Sequence, residues 1–234
     1  MNIVITGASR GIGFSTAELL AADPSNHVFA LARSSEGLSL LADKCAEKPN
    51  PGVIRTFPFD LVNGNLRGEL LLEIMSFLGQ VDVLINNAGI LVNKPAGLME
   101  PGDFDAVFNA NVKGPYFLIQ ALLPYFSQGS HIVNIGSMGG VQGSAKFNGL
   151  SLYSASKGAL AILTECLAQE FAERKISVNC LAIGSAQTEM LSAAFPGYKA
   201  PLSARELAEF IAEFVAKGHR WFNGKVIPVA LSTP

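Results

Sequence analysis

The sequence predicts one doubly wound α/β domain, with a parallel sheet of about seven strands and helices on both faces. Short β-branched or aromatic runs alternate with amphipathic segments from the first residue onward, which favours strand–helix–strand units. The runs are apolar almost throughout, as strands are when both faces of a sheet are covered. No linker-like or low-complexity segment divides residues 1–234, so we expect a single domain.

Individual elements follow from the same patterns. Runs with strand composition lie at 2–6, 27–32, 53–59, 81–86, 130–136, 175–183 and 225–231. Segments with apolar residues at three- and four-residue spacing, as a helix that buries one face requires, lie at 13–22, 37–48, 66–79 and 204–218. Two further apolar segments, 109–123 and 153–167, are also expected to be helical.

The composition argues against several classes of function. The formal net charge is -2 and the sequence pI is about 5.9, which gives no basic footprint for nucleic acid or a membrane surface. The segment MNIVITGASRG lacks the pattern of a signal peptide, and the apolar runs are too short to cross a bilayer. We therefore expect a soluble cytoplasmic protein without nucleic-acid or membrane partners.

The cysteines and histidines do not indicate a metal site. Three widely separated cysteines match neither a disulfide framework nor a ligand set; they are Cys45, Cys166 and Cys180. The histidines show no ligand spacing and no pairing with a nucleophile, and we expect them at strand edges or on the surface; they are His27, His131 and His219. The sequence predicts no bound metal.

A glycine-rich turn, TGASRGIG at 6–13, follows the first strand and opens a helix. Its glycines allow a tight turn and close approach of a pyrophosphate, which the free N–H groups and dipole of the helix would attract. Glycine turns between strand and helix are also common for structural reasons alone, but this context favours dinucleotide binding. The expected contacts in the turn are Gly7, Ser9, Arg10, Gly11, Ile12 and Gly13.

The end of the second strand indicates which dinucleotide binds. An acidic residue there would hold the ribose 2′-hydroxyl of NAD, whereas arginine suits the 2′-phosphate of NADP. The sequence reads LARSS at 31–35, with Arg33 near the strand end and Arg10 able to reach the same phosphate. Glu36 is the nearest acid, and we interpret it as a first-turn residue that meets the helix dipole. NADPH is therefore favoured over NADH.

Tyr153 and Lys157 lie four residues apart in a helical segment, so they share one face. A lysine ammonium beside a phenol favours the phenolate and lowers the phenol pKa from about 10. Such a pair could serve as a general acid for a carbonyl oxygen. Taken alone, however, tyrosine and lysine at this spacing are usually ordinary helix surface.

Together these motifs resemble the classical short-chain dehydrogenase/reductase family, whose members have a Rossmann-type fold. TGASRGIG matches the cofactor turn of the family, NNAG at 86–89 its fourth-strand motif, and YSASK at 153–157 its active-site motif. The resemblance extends from the first strand to NGKVIPV at 223–229. Several ordered motifs at family-like intervals make it specific.

The resemblance implies roles for four residues. Ser137 would hold the substrate carbonyl, and Tyr153 would protonate it. Lys157 would lower the pKa of Tyr153 and bind the nicotinamide ribose, while Asn111 would support a water-mediated proton relay. Ser137 as a loop serine and Asn111 as a helix-bending or capping amide remain the structural alternatives.

The resemblance also implies cofactor contacts beyond the glycine turn. Asp60 would contact the adenine ring, although a simple helix cap is the alternative. Asn86 would stabilise the sheet and line the cofactor cleft. The remaining implied contacts are Leu61, Asn87, Ala88, Gly89, Tyr153, Lys157, Ile183, Gly184 and Thr188.

Three departures from the family pattern concern the substrate side. Ile183 stands where the family usually has proline before Gly184, and the 16-residue interval from Ser137 to Tyr153 (153 minus 137) is longer than usual. The segment 190–201 is short where many members carry a helical lid, which suggests a more open pocket. Its aromatic residues, Phe195 and Tyr198, suit a partly hydrophobic substrate or equally a packing role.

The leading functional hypothesis is an NADPH-dependent reductase of a small, partly hydrophobic carbonyl compound. A 3-oxoacyl-[acyl-carrier-protein] reductase-like enzyme is a more specific alternative, although residues 122–130 carry no basic side chain for an acidic carrier. A non-catalytic NADP-binding regulator, or an isomerase or dehydratase, is the alternative of another class. By resemblance we expect a homodimer or homotetramer formed by the helices within 109–123 and 153–167.

Overall fold

A parallel sheet of seven strands forms the centre of the protein, seen here in a computed structural model that describes residues 1–231. Its strands are β1 (Asn2–Thr6), β2 (His27–Ala32), β3 (Val53–Pro58), β4 (Val81–Asn86), β5 (Phe126–Ile135), β6 (Ser177–Ile183) and β9 (Val226–Val229). A separate short pair is formed by β7 (Ala186–Gln187) and β8 (Leu202–Ser203). The sheet order is β3-β2-β1-β4-β5-β6-β9, with every neighbouring pair parallel. The predicted doubly wound sheet is confirmed.

Helices cover both faces of the sheet. They are α1 (Gly11–Leu20), α2 (Ser35–Ala46), α3 (Leu71–Leu78), α4 (Pro101–Phe108), α5 (Gly114–Leu122), α6 (Ser151–Glu170), α7 (Glu189–Ala194) and α8 (Ala204–Lys217). Alternate residues of β1 enter different cores, because successive side chains of a strand point to opposite faces. Ile3 and Ile5 pack with α1, α2 and α8, whereas Val4 packs with α3, α5 and α6. Two apolar layers thus sandwich the sheet.

The boundaries differ from the sequence prediction where hydrogen bonding departs from the regular pattern. A π-helical turn at Leu66–Leu70 precedes α3, and another at Asn109–Lys113 joins α4 to α5. Strand β5 begins at Phe126 rather than at residue 130, because Phe126 pairs with Val81 before the register shifts. The hydroxyl of Ser130 donates to the Val81 carbonyl and stabilises this irregular start.

A chain of buried polar side chains crosses the sheet between β4, β5 and α6. Asn86 and Asn134 are register partners, and the Asn86 amide donates to the Asn134 side chain at 2.8 Å. Asn134 in turn donates to the Thr164 hydroxyl at 2.9 Å, which donates to the Leu160 carbonyl. The predicted role of Asn86 in stabilising the sheet fits this position, but Asn86 does not line the large cavity described below.

His131 lies in the middle of the sheet rather than at a strand edge or the surface, so that expectation was wrong for this residue. It is 1% exposed, its Nδ1 lies 3.2 Å from the Val215 carbonyl, and its Nε2 lies 3.1 Å from the Asn179 amide nitrogen. A neutral ring that donates from Nδ1 satisfies both partners. Burial lowers the His131 pKa to about 4, and the neighbouring His219 acts in the same direction.

Acidification is therefore expected to destabilise the protein through His131. Because the folded pKa lies below the unfolded value of 6.5, the unfolded state binds more protons between pH 6.5 and 4. The free energy of unfolding should fall across that window, with a His131 contribution on the order of 3 kcal/mol. Urea unfolding at a series of pH values would measure this loss. His131→Gln should show a shallower slope, and identical slopes for both proteins would contradict the assignment.

Candidate active site

The turn between β1 and α1 packs closely against the segment that follows β4 because its glycines carry no side chain. Gly7 has φ +70°, and a Cβ there would lie 2.8 Å from the Ala88 Cα. A Cβ on Gly13 would collide with the Gly7 carbonyl and the Asn87 amide. The glycines therefore allow this turn to pack directly against the segment that follows β4.

Side-chain hydrogen bonds hold the ends of β1 and β4 together. The Thr6 hydroxyl accepts from the backbone N–H groups of Asn87 and Ala88, at 3.1 and 2.9 Å. The Asn87 amide donates to the carbonyls of Thr6 and Gly7, at 3.0 and 3.1 Å. These bonds fix the NNAG segment against the glycine turn.

A cavity of about 710 Å³ opens at the carboxyl ends of the strands, where doubly wound sheets bind ligands. Its volume lies within the range of small-molecule and cofactor sites. Most predicted cofactor contacts line it, namely Gly7, Ser9, Arg10, Gly11, Ile12, Gly13, Arg33, Asp60, Leu61, Asn87, Ala88, Gly89, Tyr153, Lys157, Ile183 and Thr188. The cavity thus brings together residues from distant parts of the chain.

Gly184 stands apart from the other predicted contacts. It does not line the cavity; its N–H donates to the Val229 carbonyl, and a Cβ there would lie 2.7 Å from the Ala230 Cβ. The glycine therefore allows close packing beside β9. Its position matches a structural role better than a cofactor contact.

Two arginines and a carboxylate lie at one end of the cavity. Arg10 and Arg33 are exposed at its wall, and buried Ala32 leaves no acid at the end of β2. Burial acts to raise the pKa of Asp60, but hydrogen bonds from Val62 and Asn63 and the Arg33 charge lower it overall. Asp60 is therefore an anion that orders its own loop beside the cavity.

The acid nearest to Arg33 in the sequence does not line the cavity. Glu36 lies in the first turn of α2, where it accepts a hydrogen bond from the Ser34 hydroxyl at 2.9 Å. Its pKa is lowered by its own backbone N–H and by this serine. Glu36 does not line the cavity, which agrees with its interpretation as a residue that meets the helix dipole.

Tyr153 and Lys157 both line the inner part of the cavity. Lys157 is 5% exposed, and its Nζ donates to the Ile135 carbonyl at 2.8 Å and lies 5.8 Å from the centre of the Tyr153 ring. Burial lowers the Lys157 pKa to about 8. The ammonium is therefore held by a backbone carbonyl at the end of β5.

The protonation of Tyr153 differs from the expectation that Lys157 lowers its pKa. Burial raises the Tyr153 pKa, and hydrogen bonding with the Ser137 hydroxyl only partly opposes this shift. The Lys157 ammonium is directed toward Ile135 instead of toward the phenol oxygen. Tyr153 is consequently a protonated phenol at neutral pH.

A backbone contact sets the distance between the Ser137 segment and α6. Ser137 caps a short 3-10 turn, Met138–Gly140, by accepting from the Gly139 N–H. A Cβ on Gly140 would lie 2.6 Å from the Lys157 carbonyl carbon and 2.7 Å from the Gly158 nitrogen. Only glycine allows the turn to approach the helix this closely, so Gly140 brings Ser137 beside Tyr153.

Asn111 lies in the π-helical turn and is fully buried. Its Oδ1 accepts a hydrogen bond from the Ile90 N–H at 2.8 Å. Its Nδ2 donates to the Ile90 carbonyl at 3.0 Å and to the Ser156 hydroxyl at 2.9 Å. Pro115, four residues later, has no N–H for an α-helical bond to the Asn111 carbonyl. The Asn111 side chain is therefore fully engaged by protein groups, whereas its backbone carbonyl has no N–H partner at residue 115.

Some wall residues were absent from the sequence analysis. They include Ser34, Phe59, Val62, Asn63, Ile90, Ala106, Ala110, Glu189 and Met190. Most of them are close in sequence to predicted contacts, and only that proximity could have identified them. Ala106 and Ala110 come from α4 and the following π turn, and no motif marks them. Ser137 and Asn111 lie beside the cavity without lining it.

Within residues 1–231, no helix is both long enough and apolar enough to span a membrane. No group of three or more histidine, cysteine or acidic side chains in the same range is arranged to hold a metal ion.

Comparison with known proteins identifies the family. The model of the short chain dehydrogenase family matches residues 1–199. The 3-oxoacyl-[acyl-carrier-protein] reductase FabG of Thermotoga maritima is 33% identical over 207 residues, which cover 88% of this chain and 79% of that protein. The chain therefore belongs to the short-chain dehydrogenase/reductase family of oxidoreductases.

Solved structures agree with this assignment. A 3-ketoacyl-(acyl-carrier-protein) reductase from Brucella melitensis, complexed with NADH, has a TM-score of 0.85 at 27% identity; the match covers 97% of this chain and 96% of that chain. A short chain dehydrogenase from Burkholderia cenocepacia, in complex with NADP, has a TM-score of 0.86 at 28% identity, with 98% and 96% covered. The sheet described here is thus the fold of that family.

The close contact at Gly140 makes a prediction about stability. Gly140→Ala should push the 3-10 turn away from α6 and lower the free energy of unfolding by about 1–3 kcal/mol, because backbone atoms cannot yield. Gly102→Ala is the matched control, since nothing lies within 4 Å of a Cβ at that helical position. Urea unfolding of the three proteins is the measurement. Equal midpoints and slopes for both variants would contradict the contact.

Proposed function

We propose that the protein is an NADPH-dependent reductase that transfers hydride to the carbonyl of a small, partly hydrophobic substrate. The single observation that supports this most strongly is that Tyr153 and Lys157 line the same cavity as the glycine turn, with Ser137 beside Tyr153. A proton donor and a dinucleotide cradle in one cavity are what carbonyl reduction requires.

The glycine cradle and the cavity volume fit a nicotinamide dinucleotide. Gly7 and Gly13 let the turn pack against the NNAG segment, and the first N–H groups of α1 have no partners within the helix. Gly7, Gly11 and Gly13 would hold the pyrophosphate, and Asn87–Gly89 and Ile183 would lie along the rest of the molecule. When bound, the reduced nicotinamide supplies the hydride.

Tyr153 would act as the general acid. Its raised pKa keeps the phenol protonated at neutral pH, so it can give a proton to a carbonyl oxygen as negative charge develops there. Ser137 would donate a second hydrogen bond to the same oxygen. The same raised pKa leaves little phenolate, the form that alcohol oxidation needs, at neutral pH.

Lys157 and Asn111 would return a proton to Tyr153. The Lys157 pKa of about 8 leaves the ammonium protonated at neutral pH but able to release a proton. A Cβ built on Gly89 would lie 3.0 Å from the Asn111 Oδ1 and 3.4 Å from the Lys157 Nζ, so this glycine keeps the space beside both groups clear. We propose that a water held by the Asn111 carbonyl connects Lys157 with solvent.

The preference for NADPH rests on charge at the end of β2. Arg10 and Arg33 line the cavity there, and Glu36 is bonded to Ser34 instead. Guanidinium groups bind a phosphate strongly, whereas NADH offers them no 2′-phosphate. The two solved relatives carry NADH and NADP respectively, so the preference is proposed from this chain's own residues.

Removal of Arg33 should therefore change the choice of cofactor. In Arg33→Ala the dissociation constant of NADPH should rise about 10–100-fold, as loss of a charge-assisted hydrogen bond implies, while that of NADH should change little. Fluorescence titration with both dinucleotides would measure this. Arg67→Ala, an exposed arginine outside the cavity, serves as the control. Equal weakening of both dinucleotides would contradict the assignment.

Replacement of Tyr153 tests the proton-donor role. Tyr153→Phe should lower kcat for NADPH-dependent ketone reduction by roughly 10²–10⁴-fold, the contribution typical of general acid catalysis. NADPH binding, followed by fluorescence, should be retained because the ring still lines the cavity. NADPH oxidation against a panel of ketones, aldehydes and β-ketoacyl thioesters is the measurement. Undiminished turnover in the variant would exclude Tyr153 as the donor.

A 3-oxoacyl-[acyl-carrier-protein] reductase-like activity is the second candidate. It is supported by the resemblance to the Thermotoga maritima protein of that name. Residues 122–130 carry no basic side chain, which disfavours an acidic carrier protein at that surface. A non-catalytic NADP-binding regulator is disfavoured because Ser137, Tyr153, Lys157 and Asn111 are all present.

We also propose that the chain functions as one domain and as a homodimer or homotetramer. Exposed apolar side chains on α5 and α6 support an interface there, namely Tyr116, Phe117 and Ile162. The cytoplasmic location predicted from the sequence stays a prediction.

A further inference from the structure

A second cavity, of about 770 Å³, lies next to the proposed active site. Its wall is formed by Asn93, Pro95, Ala96, residues 146–151 and Ser154. The first cavity is lined by Ile90 and Tyr153, so both cavities border the segment after β4 and the first turn of α6. The second cavity is thus placed where the remainder of a substrate would extend from the carbonyl.

The loop that borders this cavity has an internally bonded structure. The Lys146 ammonium donates to the Val141 carbonyl, the Ser144 carbonyl and the Ser144 hydroxyl, at 2.6, 3.1 and 2.6 Å. The Ser144 hydroxyl lies within hydrogen-bond distance of the Met138 and Val141 carbonyls. The loop between Ser137 and Tyr153 therefore folds around the Lys146 ammonium, and these hydrogen bonds fix the position of the neighbouring Phe147.

Residues 93–94 connect this loop with the segment around α7. The Lys94 N–H donates to the Gly149 carbonyl at 3.1 Å, and Gly149 has φ +83°. The Asn93 amide donates to the Ala194 carbonyl at 2.8 Å, next to Phe195. The rings of Phe147 and Phe195 meet edge to face, with centroids 6.1 Å apart. The segment after Met190 is thus in contact with the loop that carries Phe147.

The chemistry of the second cavity favours an uncharged, apolar occupant. Among the described residues, no carboxylate lines it, and Lys146 is the one cation. An ammonium has three N–H donors, and the loop uses all three of those on Lys146. No donor remains for an anionic group of a substrate. Phe147 is 50% exposed, so apolar surface is available for contact.

We propose that Phe147 determines substrate specificity by binding an aryl or extended alkyl substituent of the carbonyl substrate in the second cavity, and that Phe195 positions the Phe147 ring by packing against it. This inference rests on the proposed reductase function and names its substrate class: neutral ketones or aldehydes with a bulky apolar arm. Phe147 comes from the loop that joins Ser137 to Tyr153, and Phe195 follows α7.

The test compares 4-phenyl-2-butanone with 2-butanone. The ratio of their kcat/KM values should fall about tenfold in Phe147→Ala and in Phe195→Ala, near the lower end of what an apolar contact in a pocket contributes. Phe147→Leu should retain most of the ratio, and Trp221→Ala, which removes a 79% exposed aromatic ring elsewhere, should leave it unchanged. Thermal melts followed by circular dichroism confirm that each variant is folded.

Ligand-observed NMR titration of 4-phenyl-2-butanone separates this inference from the proposed function, because binding requires no turnover. A dissociation constant about tenfold higher in both alanine variants supports the pocket, even if no ketone is reduced and the reductase proposal fails. Unchanged binding and an unchanged kcat/KM ratio in folded alanine variants would overturn the inference. Absence of binding to the wild-type protein would overturn it too, even where 2-butanone is reduced.

Discussion

The geometry of the whole site depends on the close approach of the ends of β1 and β4. The Thr6 hydroxyl accepts two backbone N–H groups from the NNAG segment, and Asn87 returns two hydrogen bonds to β1. This approach is possible only because Gly7 and Gly13 present no side chain. The order of the strands in the sheet changes direction between β1 and β4, so the helices that follow these two strands cover opposite faces. The ligand crevice forms between those helices, at the carboxyl ends of the strands. The other residues of the site are positioned relative to the ends of β1 and β4.

Burial, more than direct ion pairing, determines the charge states around Tyr153. It raises the pKa of the phenol and lowers that of Lys157, so the neutral form of each group is favoured. The ammonium remains in place because the Ile135 carbonyl accepts from it at the end of β5. A backbone carbonyl thus orients Lys157, and the contact of Gly140 with α6 sets the spacing between the Ser137 segment and Tyr153.

The sequence was sufficient for the strands, the glycine turn and the residues grouped at the cavity, because these depend on local pattern and chain order. It was insufficient where a distant partner decides the conformation. Phe126 joins β5 only through Val81, and nothing in FSQGS marks a strand. His131 appears polar in sequence, yet Asn179 and the Val215 carbonyl satisfy it in the interior. The need for glycine at position 140 arises from α6, which no local motif reveals.

The buried chain from Asn86 through Asn134 to Thr164 also bears on how the protein reaches its fold. Parallel strands rich in valine and isoleucine can pair in several alignments of similar apolar burial. A slip of one residue between β4 and β5 would separate the buried Asn86 amide from the Asn134 oxygen that accepts its hydrogen bond, at a free-energy penalty. The chain of buried polar side chains therefore disfavours mispaired intermediates while the central strands assemble. Polar groups inside this sheet contribute selectivity during folding, in addition to their part in the native state.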